Sequence, residues 1–483
     1  MAWQADKESR VDRSSKWFPY LAVTALVLAE LSASYETSMV FAALPTLLRE
    51  FPDPIGVSWL VTGYLVGSAA FAAVCARLGD LYGRARILVI MLLLSAIGSA
   101  MAAWAPTLAW LIAGRALQGS AGAVLPLCFG LARLHLPAPM LPIAIGVLAG
   151  TASLGAGLGF LAGAIIVDHI SWRWMFTLSF GLALAGAAIA ACFFPLRGAG
   201  ARPQGDLDVL GGILFVPGVV GILLAATDAF RWGVLDPRSL ALGVAALGVL
   251  ALWARYELRH PAPLIDIRLL ARREILLANG VFSMCAFGAM QTTIIVTMLV
   301  QQPTWTLVGL GATATAAALV KFPAYAVGTV GSPFGGLLTS RIGGRGAAIW
   351  SASIMTGGLL ALLVDHSSIA ILLAFGIVIQ IGISMLYATV GNIIVLAAPT
   401  DRTSEAAGLS SVLRAIFQAI GSQVVLLTLA SSTIALEAGG SPAYPDGRAY
   451  ALALIIMAAA GVAAIAMAAA LKKEAAAPRP AAA

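Results

Sequence analysis

Arg77-Leu78-Gly79-Asp80-Leu81-Tyr82-Gly83-Arg84-Ala85-Arg86 joins two apolar runs, 56–77 and 87–104, and this join decides the fold. Each run has roughly the twenty residues an α-helix needs to cross a hydrocarbon core about 30 Å thick. A turn this short makes the two helices antiparallel neighbours. Gly83 permits the reversal, Asp80 sits near the helix ends, and Arg84 and Arg86 stay in the anionic headgroup zone.

The same pattern extends outward in both directions. Further apolar runs of roughly twenty residues or more, bounded by charges, Pro or Gly, lie at 18–48, 107–132, 142–167, 173–195, 209–229, 238–256, 274–301, 308–333, 346–364, 368–397, 407–433 and 448–471, fourteen in all. With 60% hydrophobic and only 11% charged residues, the chain lies outside the range of a soluble globular domain. The expectation is an all-α integral membrane protein. The run at 18–48 is too long for a removed signal peptide, has no small-residue cleavage site, and is expected to remain as the first span.

Charge orients the spans. Most of the 29 Lys and Arg fall in alternate connections beginning with the N-terminal tail. Only Arg49, Arg173, Arg231, Arg238 and Arg448 fall on the opposite side, and Arg115, Lys321 and Arg414 lie within spans. The positive-inside rule then places both termini in the cytoplasm of a multi-pass plasma-membrane protein, in a bacterium the inner membrane. The basic residues form no single stripe, so the net charge of +7 reflects topology and not nucleic acid. Cys75, Cys128, Cys192 and Cys285 stand singly in apolar segments, without metal-ligand spacing, and are read as small packing residues. No phosphate-cradling Gly-Lys-Ser/Thr turn occurs, the histidines are isolated, and no loop is long enough for a catalytic domain. No enzyme, metal or cofactor is expected.

Ser340-Arg341-Ile342-Gly343-Gly344-Arg345 after the tenth run echoes Gly79–Arg84 after the second. Two six-span bundles with an extra pair of spans between them would put these turns at equivalent places, although any tight cytoplasmic turn favours Gly and Arg. The expected organisation is a tail, 1–17; a first bundle, 18–195; a linker, 196–273, holding the extra spans 209–229 and 238–256; a second bundle, 274–471; and a tail, 472–483. The linker segment 257–273 reads either as an amphipathic interfacial stretch or as a solvated basic turn.

Three stretches add chemistry to this frame. The first span reads Glu36-Thr37-Ser38-Met39-Val40-Phe41-Ala42-Ala43-Leu44-Pro45, with a second acid at Glu30. A carboxylate in hydrocarbon costs roughly 2.5–3.5 kcal/mol, so two in one helix need a partner or a function. The fourth span carries Gly114-Arg115-Ala116-Leu117-Gln118-Gly119. At 1.5 Å per residue, Arg115 is about 12 Å and Glu36 about 16 Å from the outer ends of their helices, so the two can meet. In the fifth span, Gly155, Gly159 and Gly163 put bare backbone along one helix face.

These stretches, together with Arg77–Arg86 and Ser171-Trp172-Arg173-Trp174, resemble the major facilitator superfamily, and specifically its fourteen-span drug:proton antiporter branch. The resemblance implies two six-helix bundles plus two central spans, working by alternating access. It implies that Asp80, Gly83 and Arg84 form a latch between the bundles when the outer side is open, and that Arg115 serves proton coupling. Glu36 stands where the branch has an Asp. Phe160 stands where the fifth-span motif has Pro and Ala164 where it has a second Gly, which leaves that helix without a proline bend.

Glu36 is expected to carry the proton, and Glu30 to be a second acid or a cation-binding group. The substrate cavity is expected to draw on Gln118, Met290, Gln291, Lys321, Gln380, Tyr387 and Asn392, adaptable or polar side chains within spans. Arg414 with Gln418 and Gly421 resembles the branch's pattern in span 13. The expected activity is proton-driven export of an amphiphilic small molecule by a monomer whose other partners are protons and lipids. Proton-coupled movement of a specific metabolite, lipid or anion is the alternative.

Overall fold

The computed structural model describes residues 17–51, 54–196, 208–233, 236–260, 263, 267–312, 314–434 and 444–472. The two tails (Trp17 and Lys472 apart), linker residues 197–207, and Leu264 and Ile265 lie outside the described residues.

Helices fill almost all of it. The first group comprises α1 (Phe18–Glu50), α2 (Pro54–Tyr82), α3 (Arg84–Ala103), α4 (Leu108–Gln118), α5 (Val124–His135), α6 (Leu141–His169) and α7 (Arg173–Phe193). The central pair is α8 (Val209–Trp232) and α9 (Pro237–Glu257). After the short α10 (Ile267–Leu270) come α11 (Arg273–Phe287), α12 (Thr292–Gln301), α13 (Ala314–Val364), α14 (Ile369–Ala397), α15 (Thr403–Ala430) and α16 (Gly447–Ala469). A two-residue antiparallel pair, Thr433–Ile434 with Tyr444–Pro445, precedes α16.

Among the described residues, twelve helices are long and apolar enough to cross a membrane, where the hydropathy runs lead one to expect fourteen. One of the twelve, Leu319–Val364, is 46 residues long. At 1.5 Å per residue that is about 69 Å, twice a hydrocarbon core. It breaks at Gly343 (φ 78°, ψ 164°), where the sequence places a turn. The run 209–229 forms the 24-residue helix α8, apolar over Leu210–Ala225. Gly83 (φ 105°) and Gly343 thus share a backbone conformation that side chains disfavour, at corresponding positions after the second and tenth runs.

Two spans are interrupted internally. A 3-10 turn at Gly119–Ala123 separates α4 from α5, where Gly119 lies so close to Gly67 and Ser68 of α2 that an added Cβ would fall 2.6 Å from their backbone. A second, Ala289–Gln291, separates α11 from α12. There Gln291 Nε2 donates to the freed carbonyl of Ala286 at 2.7 Å, as a broken helix inside a bilayer requires.

Apolar cores form mainly within α1–α7, where Val395 of α14 and Ala407 of α15 join them, and within α10–α16. Of the linker's described residues, Leu269 is buried and Ile267 and Leu270 are half-buried against apolar neighbours, while Arg268 is exposed. A further cluster joins Phe215, Val219, Leu223 and Trp253 of the central pair to Ala69 and Ala72 of α2 and Leu409 and Val412 of α15. The central pair therefore packs on the seam where the two groups meet. On the other side, α6 packs against α13 and α14.

Candidate functional site

Glu36 is fully buried in α1. Its Oε1 accepts hydrogen bonds from Ser95 (2.6 Å) and Ser99 (3.1 Å) of α3 and from Ser179 (2.6 Å) of α7. Its Oε2 is buried and has no hydrogen-bond partner among the described residues. Arg115, also buried, donates from Nε to the Leu60 carbonyl (3.0 Å), and from Nη1 to the Glu36 backbone carbonyl (3.2 Å) and Gln118 Oε1 (2.8 Å). Its guanidinium stands 4.3 Å from the centroid of the Tyr64 ring. Gln118 Nε2 in turn donates to Ser99 Oγ at 2.7 Å.

Matched depth does bring Glu36 and Arg115 together, but no ion pair joins them among the described residues. Backbone carbonyls and Gln118 occupy the guanidinium, and the carboxyl is reached through Gln118 and Ser99. Gln118, expected at the cavity, is fully buried in this relay. The serines escape a reading of the sequence because hydroxyls are common in spans. Their one signal is the spacing of four between Ser95 and Ser99, which puts both on one face of α3.

The glycine stripe of α6 holds this arrangement in place. A Cβ at Gly163 would lie 2.6 Å from the Met39 carbonyl, and those at Gly155 and Gly159 would collide with Ser34 and with the Tyr35 carbonyl. Ser34 and Ser38 reach back to the carbonyls of Thr151 and Ala156. The bare face of α6 thus receives the segment of α1 that carries Glu36, and α6 runs unbroken, as the absence of a proline at Phe160 leads one to expect.

The predicted turn residues link the two halves. Asp80 accepts from Arg84 Nε (2.6 Å) and, across the seam, from the backbone N–H groups of Ser404 (3.4 Å) and Glu405 (2.9 Å). These are among the N–H groups a helix leaves unpaired at its start, so a carboxylate from one bundle caps α15 of the other. Arg84 donates to the carbonyls of Gly130 (2.8 Å) and Thr400 (2.6 Å). Arg133 reaches Ala398 O (2.7 Å) and Thr403 Oγ1 (3.0 Å), and Arg77 pairs with Glu405 at 3.3 Å. Glu405, Arg133 and Arg77 were not singled out as site residues in the sequence, because the α14–α15 connection that receives them comes near only in the fold.

A family model described as Major Facilitator Superfamily matches residues 26–422. The chain belongs to the major facilitator superfamily. Among its relatives, multidrug resistance protein Stp of Mycobacterium tuberculosis is 29% identical over 414 residues, 84% of this chain and 75% of that one. The tetracenomycin C resistance and export protein of Streptomyces glaucescens is 23% identical over 86% of this chain and 76% of its own. The fold is shared with the proton:xylose symporter XylE (TM-score 0.62, 13% identity, 92% of this chain and 94% of that one). It is shared too with the human organic anion transporter MFSD10 (TM-score 0.63, 16% identity, 93% and 99%). Members of this superfamily are transporters, not enzymes.

The remaining predicted residues of this superfamily member fall at several places. Glu30 is buried at the seam; its Oε2 has no hydrogen-bond partner among the described residues, and Arg414 of α15 lies within electrostatic reach. At 1.5 Å per residue Glu30 is about 18 Å along α1 and Arg414 about 17 Å along α15, so they stand level on opposite bundles. Arg414 is 6.0 Å from the Tyr387 ring centroid and donates to Gln418 Oε1 at 3.1 Å. Tyr387 lines a small cavity of about 20 Å³ with Phe129 and Phe282. Lys321 is half-buried, donates to Thr293 Oγ1 at 2.8 Å, and adjoins Phe322, which with Tyr325 faces Gly157 of α6. Gln380 donates to Ser384 Oγ at 3.2 Å beside Gly328, and Met290 packs on the second core. Gln291 and Asn392 are taken up by backbone carbonyls, Asn392 bonding Pro142 O across the seam at 3.1 Å.

Proposed function

We propose that this chain is a fourteen-span, proton-coupled secondary transporter of the drug:proton antiporter branch, exporting amphiphilic small molecules by alternating access. The observation that carries the reading is the buried Glu36 carboxyl, fenced by three serine donors and linked through Ser99 and Gln118 to Arg115. Supporting the span count are the break at Gly343 and the apolar stretch of α8, which add two crossings to the twelve. The bundles are 18–195 and 274–471, the linker with the central pair is 196–273, and both termini face the cytoplasm of a plasma-membrane monomer. The relatives named for multidrug resistance and for export of tetracenomycin C support an efflux role.

In this scheme the proton goes to Glu36 Oε2, since Oε1 already accepts three hydrogen bonds. A neutral carboxyl holds the serines less strongly, because hydrogen bonds to a charged group are about twice as strong as neutral ones. The relay to Arg115 then loosens and the bundles rock, with Asp80, Gly83 and Arg84 latching the cytoplasmic end in the outward-open state. Glu30 is a second acid or a cation-binding group, and Met290, Lys321, Gln380 and Tyr387 contribute to the cavity.

Glu36→Gln in reconstituted vesicles is expected to abolish efflux driven by a pH gradient while leaving substrate exchange partly intact. Unchanged proton-driven efflux would remove the mechanism. Half-buried Lys321 favours a second reading, proton-coupled movement of an anionic or zwitterionic metabolite or lipid. An imposed pH gradient separates antiport from symport, because substrate moves in opposite directions relative to protons.

A further inference from the structure

The end of α9 carries an open cavity of about 320 Å³ lined by Leu252, Arg255, Tyr256, Arg259 and His260. Nothing in the transport scheme uses it. Arg255 and Arg259 are exposed, lie four residues apart, and make no ion pair among the described residues. The acids nearby are turned inward: Asp208 and Glu257 are buried, Asp208 accepting from Tyr256 Oη at 2.9 Å and Glu257 from Trp253 Nε1 at 3.2 Å. The His260 ring packs on Tyr256 at 5.4 Å, with Nδ1 4.0 Å from Asp208, so it is held at the rim.

The same helix face continues as an apolar strip toward the other end of α9. Leu240, Val244, Leu247 and Leu252 are 49%, 69%, 60% and 55% exposed. At 100° per residue Arg255 lies about 20° and Arg259 about 60° from Val244 around the helix, so strip and arginines share one side. The helix has 21 residues, about 31 Å, which sets Arg255 in its last turn and Arg259 just beyond, at headgroup depth. An apolar strip about 18 Å long, a little over half the thickness of a hydrocarbon core and so enough for the acyl chains of one leaflet, that ends in two guanidiniums without an ion pair among the described residues matches a phospholipid of net negative charge.

We propose that this face binds an anionic phospholipid, with the phosphate between Arg255 and Arg259 and an acyl chain along Val244, Leu247 and Leu252. The site is independent of the substrate path and of proton coupling. The face points away from the seam between the bundles: Trp253, which packs toward α2 and α15, lies about 180° around α9 from Val244.

Native mass spectrometry of the purified full-length protein tests this, after equilibration in phosphatidylcholine bilayers with or without phosphatidylglycerol. The expected result is about tenfold greater retention of phosphatidylglycerol than of phosphatidylcholine. In Arg255→Gln/Arg259→Gln the preference is lost, and in Arg255→Lys/Arg259→Lys it is partly kept, with unchanged melting in phosphatidylcholine showing that both variants fold. Equal retention of the two lipids, or an undiminished preference in the glutamine variant, would overturn the proposal. So would inorganic phosphate that raises the melting temperature as much as phosphatidylglycerol does, since the site would then read a free anion.

Discussion

Arg115 satisfies three acceptors at once: the Leu60 carbonyl, the Glu36 carbonyl and Gln118. A lysine keeps the charge but concentrates it on one nitrogen, which cannot span the acceptors a planar guanidinium reaches from Nε and Nη1. Arg115→Lys is expected to lower proton-driven transport by at least tenfold while the protein still inserts, checked by vesicle flux against protein recovered in membranes. Wild-type flux in that variant would show that charge alone suffices. Depth along a helix needs only counting, so the meeting of Arg115 and Glu36 was legible in the sequence. The hydroxyls between them were not, because the rotation of α3 and α7 about their axes decides whether a serine faces a carboxyl or a lipid.

At the scale of the element, the packing of α6 on α1 rests on absent side chains. Gly159→Ala would push a methyl into the Tyr35 carbonyl and toward Ser38 Oγ at 3.1 Å, displacing the segment that carries Glu36. Overpacking of this kind costs about 1–3 kcal/mol. A lowered melting temperature with loss of transport is expected there. Gly181→Ala in α7, where no atom lies within 4 Å, is the control that should retain both. The first residues of α16 give a second case. Asp446 accepts from Ser432 Oγ (2.7 Å) and the Ala449 N–H (2.9 Å), bonds that hold its carboxyl below the usual carboxylate range. Because the folded-state pKa is depressed, the stabilisation is complete above the unfolded value near 3.9 and is lost as pH falls through the folded value. Asp446→Ala should therefore lower the melting temperature near neutrality, by a cap worth about 1 kcal/mol. The difference from wild type should narrow toward pH 3; a difference that stays constant would assign the effect to something other than the charged cap. Element boundaries were readable wherever a turn needs Gly or Pro, as at Gly83 and Gly343. The breaks at Gly119–Ala123 and Gly288 were not, since they follow from how closely α2 and α16 approach, and a single sequence does not display that approach.

For the whole molecule, one end of the seam is closed by groups that belong to opposite bundles. Asp80 caps α15, Arg84 and Arg133 reach carbonyls of the α14–α15 connection, and Arg77 pairs with Glu405. The two bundles carry unequal parts of this closure. Counted back three residues from the reversals at Gly83 and Gly343, Ser340 stands in the second bundle where Asp80 stands in the first, and its hydroxyl donates to Leu337 O of its own helix. Among the described residues no ion pair forms at this second turn, so a change on the α2 or α15 side has no charged copy there to compensate for it. Reversing Arg77 to Glu puts like charges together at Glu405 and should open this end, raising the labelling of a cysteine placed beside Thr400 by a membrane-impermeant maleimide in inside-out vesicles. Glu405→Arg alone should do the same, because it sets a cation against Arg77 and at the start of a helix, where positive charge is unfavourable. The double reversal, Arg77→Glu with Glu405→Arg, restores the attraction across the seam and should recover part of the closure, the remainder reflecting the helix start and the backbone contacts. Such a recovery is the interaction energy of a double-mutant cycle, expected at about 0.5–3 kcal/mol for residues in contact. Additive labelling in the double variant would mean that Arg77 and Glu405 are neighbours without coupling, and would leave the closure to Asp80 and Arg84.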